Sequence, residues 1–279
     1  MRKFGRFEMV RHWARKFFQL PTHLNGAEVS HSSMFPKLHL ASVLQTLERD
    51  GCYQGLQLPA DIVDQLLDFV ASTTSYIHRD KNQPCQIDRQ GRMNGAVPPP
   101  TVRLCSYMDH SSSSEVVRKI ETDPLLLAIA AQYLGAEPIH MGTELCWSFP
   151  APATLDEQLS AAQVFHYDLD DYRLIKFFFY LTDVDATAGP HTYIRGSHKN
   201  KPFLHQLIGT RCASLSDEKI VECYGAENVS TICGPAGFGF IEDVVCFHRG
   251  DLPLEKPRLM FQMEFTVNRY GNIHEDWDF

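Results

Sequence analysis

The sequence lacks paired cysteines, and this absence argues against two kinds of covalently or metal-stabilised fold. Its eight cysteines are scattered, with no Cys-x-x-Cys pair. A disulfide framework is typical of short secreted chains, and a zinc–thiolate site needs closely spaced cysteine pairs. Reduced thiols in a cytoplasmic protein are therefore expected. The positions are Cys52, Cys85, Cys105, Cys146, Cys212, Cys223, Cys233 and Cys246.

Long apolar runs and an excess of positive charge are also missing. The chain has no run of about 18 apolar residues, so no integral membrane segment is expected. Residues 1–21 are basic but lack the apolar central region of a secretory signal. The net charge of −8 argues against nucleic acid, and against an anionic membrane, as a partner of the chain as a whole.

The length of 279 residues is sufficient for one well-filled domain with an N-terminal extension. We expect residues 1–46 to form an arm and loop, and residues 47–279 to form the domain. The arm mixes basic and aromatic residues in the pattern of an amphipathic helix, which can bind a membrane surface or a partner. We expect instead that its aromatic side chains pack on the domain, with a solvated basic face.

Within the domain the periodicity changes from helical to β near residue 140. A helix is predicted from Leu58 to Val70, and Thr122–Pro124 begins a second helix that ends at Gly135. After residue 140, short β-branched and aromatic runs lie between turn residues and predict strands. This order indicates a mainly β domain, a double-sheet jelly roll with flanking helices. The predicted strands are 140–149, 175–182, 192–195, 237–241, 244–248 and 258–267.

The most informative motif is a histidine and a carboxylate two residues apart, His166 and Asp168. On an extended strand both side chains lie on one face, so both can reach one metal ion. A second histidine would complete the two-histidine, one-carboxylate set of non-heme iron(II) oxygenases. His248, after an apolar run, is the best candidate. Arg258, at the start of another apolar strand, is placed to hold a carboxylate in a bidentate grip.

These motifs, in this order, resemble the phytanoyl-CoA dioxygenase family of iron(II)/2-oxoglutarate oxygenases. The family pattern is His-x-Asp, an apolar strand, Leu-x-Asp-Val, a Gly-Pro turn and Gly-Ser-His-Lys, with a distal histidine and an arginine farther on. The resemblance covers roughly residues 47–267 and implies a double-stranded β-helix, a cupin-like jelly roll. The matching positions are 166–168, 175–180, 181–184, 189–190, 196–199, 248 and 258.

The resemblance implies a dioxygenase that uses Fe(II), 2-oxoglutarate and O2 to hydroxylate a small-molecule metabolite, with release of succinate and CO2. It implies that His166, Asp168 and His248 hold the iron and that Arg258 binds the distal carboxylate of 2-oxoglutarate. Related halogenases have a small residue where this chain has Asp168, so hydroxylation is expected. One departure is Gly250, because some family members carry a serine there that contacts the cosubstrate.

Three nearby residues are weaker candidates for metal ligands. His198 belongs to a motif that resembles a structural corner, His191 is expected to border the pocket, and the Cys246 thiol packs as a small buried group. Substrate specificity is expected from two loops, Asp80–Pro100 and Lys201–Asn228, the second lying over the barrel mouth.

Two other functions remain open from the sequence. One is a zinc-dependent hydrolase on the same three ligands. It needs no 2-oxoglutarate and so leaves Arg258 unexplained. The other is a non-catalytic, cupin-like binding protein, which an intact triad with an anion-binding arginine disfavours.

Overall fold

The computed structural model describes residues 2–17, 32–107, 114–209 and 215–269. Its helices are α1 (Arg2–Gly5), α2 (Glu8–Phe17), α3 (Leu40–Asp50), α4 (Ala60–Ser72), α5 (Glu115–Glu121), α6 (Pro124–Leu134), α7 (Leu155–Ser160), α8 (Phe203–Ile208) and α9 (Asp217–Tyr224). Its strands are β1 (Cys52–Gln57), β2 (Ser75–Ile77), β3 (Pro84–Cys85), β4 (Leu104–Tyr107), β5 (Ile139–Ser148), β6 (Leu174–Tyr180), β7 (His191–Ile194), β8 (Val229–Ile232), β9 (Phe238–Glu242), β10 (His248–Gly250) and β11 (Arg258–Thr266).

The strands form two antiparallel sheets. The major sheet has the order β1-β9-β6-β11-β5-β4-β2-β3, and the minor sheet has the order β10-β7-β8. An apolar cluster joins them, in which Phe178 and Phe240 of the major sheet lie with Tyr193 and Ile232 of the minor sheet. This architecture confirms the predicted mainly β jelly roll with flanking helices.

Strand β11, in the middle of the major sheet, separates the helical side of the domain from the side that faces the minor sheet. Leu259, Phe261, Met263 and Phe265 belong to the core that also contains buried residues of α3, α4, α5 and α6. The alternate residues of β11, starting with Arg258, point the other way because successive strand residues alternate between faces. The helical core therefore leaves one face of β11 free to carry polar side chains toward the minor sheet.

The local sequence signals at helix α6 are confirmed. Asp123 is its N-cap and accepts hydrogen bonds from the N–H groups of Leu125 and Leu126. Gly135, at the C-terminal end, has the left-handed φ of 67° that favours glycine. The helix predicted from Leu58 to Val70 is present as α4, and it follows strand β1.

The predicted strand over residues 244–248 is wrong in its position. Residues 244–246 form a turn, in which the Asp243 side chain accepts from the N–H of Val245 and its carbonyl accepts from the N–H of Cys246. Strand β10 begins only at His248. The apolar residues alone suggested a strand. Asp243, just before them, instead accepts hydrogen bonds from their backbone N–H groups and so stabilises a turn.

The two predicted loops contain short elements. Residues 80–100 include the two-residue strand β3, and residues 201–228 include the helices α8 and α9. The predicted end of the arm, between residues 46 and 47, falls within α3, whose Val43 and Leu47 are buried in the core. The loop expected around residues 21–36 lies largely outside the described residues, as does Cys212; the other seven cysteines have free thiols.

The arm does not pack all its aromatic side chains on the domain, contrary to expectation. Phe7 lies against Phe203, with ring centroids 6.4 Å apart, but Phe4 and Trp13 are exposed and Arg11 is buried. The helix thus turns a basic residue inward. None of the helices in the described part of the chain has the length and apolar character needed to cross a bilayer.

Candidate metal and anion site

The structure brings the side chains of His166, Asp168 and His248 together. One ligand atom from each lies within 4.8 Å of the other two. Nε2 of His166 is 3.8 Å from Oδ1 of Asp168, and Nε2 of His248 is 3.9 Å from Oδ2. Metal–ligand bonds of about 2.0–2.2 Å place neighbouring ligand atoms roughly 3 Å apart. A small contraction of the three side chains is therefore enough to hold one ion.

Backbone pairing places the two histidines side by side. His166 and His248 form an antiparallel bridge, with N–H to O distances of 3.0 and 2.9 Å in the two directions. The N–H of Asp168 donates to the carbonyl of Val244 at 2.8 Å. The segment around residue 166 therefore adds to the edge of the minor sheet at β10. Because His166 and Asp168 are two residues apart on it, both reach the same side.

Each histidine is oriented by its own chain. Nδ1 of His166 lies 2.8 Å from the carbonyl of Val164, and Nδ1 of His248 lies 2.9 Å from the carbonyl of Cys246. A carbonyl only accepts, so each Nδ1 carries a proton, and in the neutral ring Nε2 is the nitrogen with the lone pair. Burial lowers the pKa of His248 to about 4, which keeps this ring neutral near pH 7.

The carboxylate of Asp168 is held by Lys176, whose Nζ donates to Oδ2 at 2.8 Å and lies 3.1 Å from Glu264. Burial alone would raise the pKa of Asp168, but the charge of Lys176 and the neighbouring imidazoles lower it below its usual value. Burial likewise opposes the charge of Lys176, yet the two carboxylates raise its pKa well above the ordinary one. Asp168 is therefore ionised at neutral pH and ready to act as an anionic ligand.

Arg258 is a buried cation with no carboxylate partner in the described parts of the chain. One of its terminal nitrogens donates to the carbonyl of Gly189, and the other is 3.4 Å from Oγ of Ser148. Its Nε, also buried, has no hydrogen-bond partner. A buried guanidinium held only by neutral groups is costly unless an anion joins it. This environment fits a ligand carboxylate.

Gly250 connects this arginine to the triad. It lies two residues after His248 on β10, so the two residues share a face. A Cβ at position 250 would come within 3.2 Å of a terminal nitrogen of Arg258. The glycine therefore leaves space beside the guanidinium, at the position where some members of the resembled family carry a serine.

A second buried pair, His191 and Glu242, lies behind His248. Nε2 of His191 is 2.7 Å from Oε2 of Glu242, and its ring stacks on that of His248 with centroids 5.5 Å apart. Burial raises the pKa of Glu242 to about 8 and lowers that of His191 to about 3. His191 thus contacts His248 and borders the triad but is not one of its three residues.

Sequence reasoning missed Lys176 and Glu242. Both are single charged residues in otherwise apolar strands, LIKFFFY and FGFIE, and that interruption was the available signal. The side chains of His198 and Cys246, the remaining weak candidates, lie together, with His198 Nδ1 3.5 Å from the thiol, and neither belongs to the triad.

A further polar cluster lies on the same face of the major sheet. Glu144 accepts from Arg79 at 2.9 Å, from Ser106 at 3.0 Å and from Gln262 at 2.7 Å. Gln262 is two residues from Glu264 on β11 and so shares its face. Because Glu264 contacts Lys176, the polar row continues from the triad toward the edge strands.

No family model matches the chain, and no curated protein sequence matches it. Solved structures do match in fold. The non-heme alpha-ketoglutarate-dependent epimerase SnoN from nogalamycin biosynthesis shares 17% identity over 81% of this chain and 82% of its own, with a TM-score of 0.56. HygX from Streptomyces hygroscopicus, solved with nickel and 2-oxoglutarate, shares 15% identity over 83% and 88%, with a TM-score of 0.56.

A third similar structure is EctD from S. alaskensis, solved with bound Fe. It shares 16% identity over 85% of this chain and 82% of its own, with a TM-score of 0.55. At these identities the likeness concerns the fold. The chain has the jelly-roll fold of these enzymes over more than four-fifths of its length.

Proposed function

We propose that the protein is an Fe(II)- and 2-oxoglutarate-dependent dioxygenase that hydroxylates a small-molecule metabolite. The observation that carries this proposal is the combination of two features that meet at strand β10. A triad of two histidines and one carboxylate lies beside a buried arginine that has no carboxylate partner among the described residues. The fold shared with SnoN, HygX and EctD supports the same class.

The donor set fits iron(II). The Nε2 atoms of His166 and His248 and the ionised carboxylate of Asp168 would supply three protein ligands and leave other positions open, the arrangement typical of non-heme iron oxygenases. The carbonyls that accept from the Nδ1–H groups fix the ring orientation before any metal arrives. Lys176 holds the carboxylate in place by donating to its Oδ2 atom.

The surroundings of Arg258 fit 2-oxoglutarate. This cosubstrate has two carboxylates, one of which could pair with the guanidinium of Arg258 and leave the other, with the keto group, for the metal. The orphaned Nε and the space beside Gly250 mark where an anion would be accommodated. A zinc hydrolase or a simple binding protein would leave this buried charge without a function.

When bound, iron(II) and 2-oxoglutarate would supply the oxidation of a substrate C–H bond by O2, with release of succinate and CO2. The chain's own part is to orient the ligands and to keep the site dry. Rings of Phe178 and Phe240 stack at 4.8 Å and pack against His191 beside the triad. Water is thereby excluded behind the metal-binding atoms.

A small, polar substrate agrees with the row of charged side chains that leads from Lys176 to Glu144 and Arg79. HygX has also been solved with hygromycin B bound, and we propose a small molecule as the substrate here too. We further propose that the protein acts in the cytoplasm, where its free thiols would stay reduced.

The test is turnover under 18O2 with a panel of small polar metabolites. We expect metal- and 2-oxoglutarate-dependent succinate that carries one labelled oxygen, together with a product that carries the other. Both signals should vanish in His166→Ala. Labelled succinate with an unlabelled, epimerised or cyclised product would keep the enzyme class and overturn hydroxylation. Turnover that needs neither O2 nor 2-oxoglutarate would overturn the class and favour the zinc hydrolase.

A further inference from the structure

Helix α2 is docked on the domain by its polar side. Arg11 is buried and donates from its guanidinium to the carbonyl of Gly5 at 2.6 Å and to that of His198 at 3.2 Å. The carboxylate of Glu8 accepts from the backbone N–H of Lys201 at 2.6 Å. These bonds fix which side of the helix faces inward, and it is the charged side.

The opposite side of α2 presents apolar residues to solvent. Met9 and Trp13, one turn apart, are 73% and 55% exposed, and Phe4 of α1 is 64% exposed. In helix α8, Phe203 and Leu204 are 66% and 62% exposed. We call these five side chains the apolar patch. An amphipathic helix in a globular protein normally turns such residues inward, so this orientation is the reverse of the usual one.

The two parts of the apolar patch adjoin each other. The ring of Phe7, between α1 and α2, lies 6.4 Å from that of Phe203. The guanidinium of Arg6 donates to the carbonyl of Leu207, at the end of α8, at 2.8 Å. The N-terminal helices and α8 therefore form one surface.

The part of the chain that carries this surface is basic in sequence. Residues 1–20 contain six Lys or Arg and one Glu, a net charge of +5, whereas the whole chain carries −8. The remaining residues thus carry −13 (−8 minus 5). On α2, Lys16 and His12 are exposed and lie beside Met9 at helical spacing of about 100° per residue. We call Lys16 and His12 the basic border of the apolar patch.

We propose that the apolar patch and its basic border bind the surface of an anionic lipid bilayer. Exposed Trp, Phe and Leu beside Lys and Arg is the arrangement of helices that lie in the membrane interface. Each basic residue near an anionic surface adds about 1 kcal/mol, or about five-fold in affinity. A second copy of the chain is a poorer occupant, because a symmetric contact through this surface would bring two positively charged arms together.

The experiment is co-sedimentation of the full chain with vesicles of phosphatidylcholine containing phosphatidylserine, and with phosphatidylcholine alone. We expect binding to the anionic vesicles and much weaker binding to the neutral ones. The double variant Phe4→Glu/Met9→Glu should weaken anionic binding about ten-fold or more, since it removes two exposed apolar side chains and adds two negative charges.

The matched control is Val97→Glu/Leu254→Glu, which makes the same change in charge at two exposed apolar residues on other loops. It should bind nearly as well as the wild type. Circular dichroism melts should match for all three proteins, because every substituted side chain is exposed. None of these measurements depends on turnover, so their results test membrane binding independently of the proposed enzyme activity.

Three outcomes would overturn the proposal. The wild type could fail to bind anionic vesicles at micromolar protein and millimolar lipid. Binding could be equally weak in the patch variant and the control, which would assign it to overall charge. Light scattering could show a wild-type dimer that Phe4→Glu/Met9→Glu converts to a monomer, without vesicle binding; the occupant would then be a second copy.

Discussion

The two histidines of the triad use their ring nitrogens in the same way. Each donates from Nδ1 to the carbonyl of the residue two positions earlier, so the Nε2 lone pair is available where the other ligands converge. This local hydrogen bond costs no long-range packing and sets the ring orientation. The site is therefore arranged for a metal by its own backbone.

Removing either ring should remove the metal but leave the fold. We expect His166→Ala or His248→Ala to lower Fe(II) affinity by more than about 100-fold, because three protein ligands become two. Metal content by mass spectrometry measures this, and circular dichroism checks the fold. His140→Ala, a histidine outside the triad, is the control. Full iron occupancy in either triad variant would remove that residue from the proposed ligand set.

Lys201 is a buried ammonium that contacts the turn preceding His248. Its Nζ donates to the carbonyls of Ser197 and Val245 and lies 4.5 Å from the ring centroid of Tyr167. Burial, aided by the charge of Arg11, lowers its pKa to about 7. Between about pH 7 and the unfolded value near 10.5, the unfolded chain binds more protons at this residue than the folded chain does.

Stability should therefore rise with pH through the contribution of Lys201. The contribution of Lys201 to the free energy of unfolding is complete above about pH 10.5 and is lost as the pH falls toward 7. Relative to Lys201→Met, the wild type should gain up to about 1.4 kcal/mol per pH unit between pH 7.5 and 9.5. Urea unfolding of both proteins across that range measures the difference. A constant difference, or one of opposite sign, would contradict a depressed pKa.

At the scale of elements, the start of α6 joins two distant parts of the chain. The Asp123 carboxylate caps the helix and also accepts from the hydroxyl of Ser33 at 2.8 Å and the N–H of Met34 at 2.9 Å. The side chain is buried, so all these donors depend on it. This cap holds the segment before α3 against the helical layer.

Asp123→Ala should destabilise the protein by about 3 kcal/mol, because it removes a cap and leaves buried donors unpaired. Ser114→Ala, at the N-cap of α5, removes one long bond of 3.4 Å to Val117 and should cost less than about 1 kcal/mol. Chemical denaturation of the two variants gives the comparison. Equal losses would mean that the contacts with residues 33 and 34 contribute nothing.

Elements with strong local sequence signals were predictable. Elements for which local sequence and a nearby side-chain hydrogen bond favour different structures were not. The cap at Asp123 and the terminal Gly135 identify α6 from a few adjacent residues. The turn before His248 was missed because its apolar residues look like a strand, while Asp243 decides the backbone. In α2 the basic and aromatic residues have the pattern of an amphipathic helix, but only the bonds of Arg11 decide which face is turned inward.

At the scale of the whole molecule, motif order predicted which residues meet but not what surrounds them. His166, Asp168 and His248 converge as expected from their order along the chain. Lys176 and Glu242 enter the site through strand register and through packing between the sheets, neither of which a single sequence reports. Spacing placed Arg258 near the site, and only the structure reveals its lack of a carboxylate partner in the described chain.

The most direct measurement of the central claim is calorimetric titration of 2-oxoglutarate into the protein loaded with Mn(II). This ion should allow 2-oxoglutarate to bind without turnover. We expect binding that requires the metal. Arg258→Met should weaken it by about one to two decades, since charge-assisted hydrogen bonds are worth roughly 1.5–3 kcal/mol. Arg89→Met, at a surface arginine paired with Asp64 and Asp68, should bind like the wild type. No binding by the metal-loaded wild type, or equal affinity in Arg258→Met, would contradict the account.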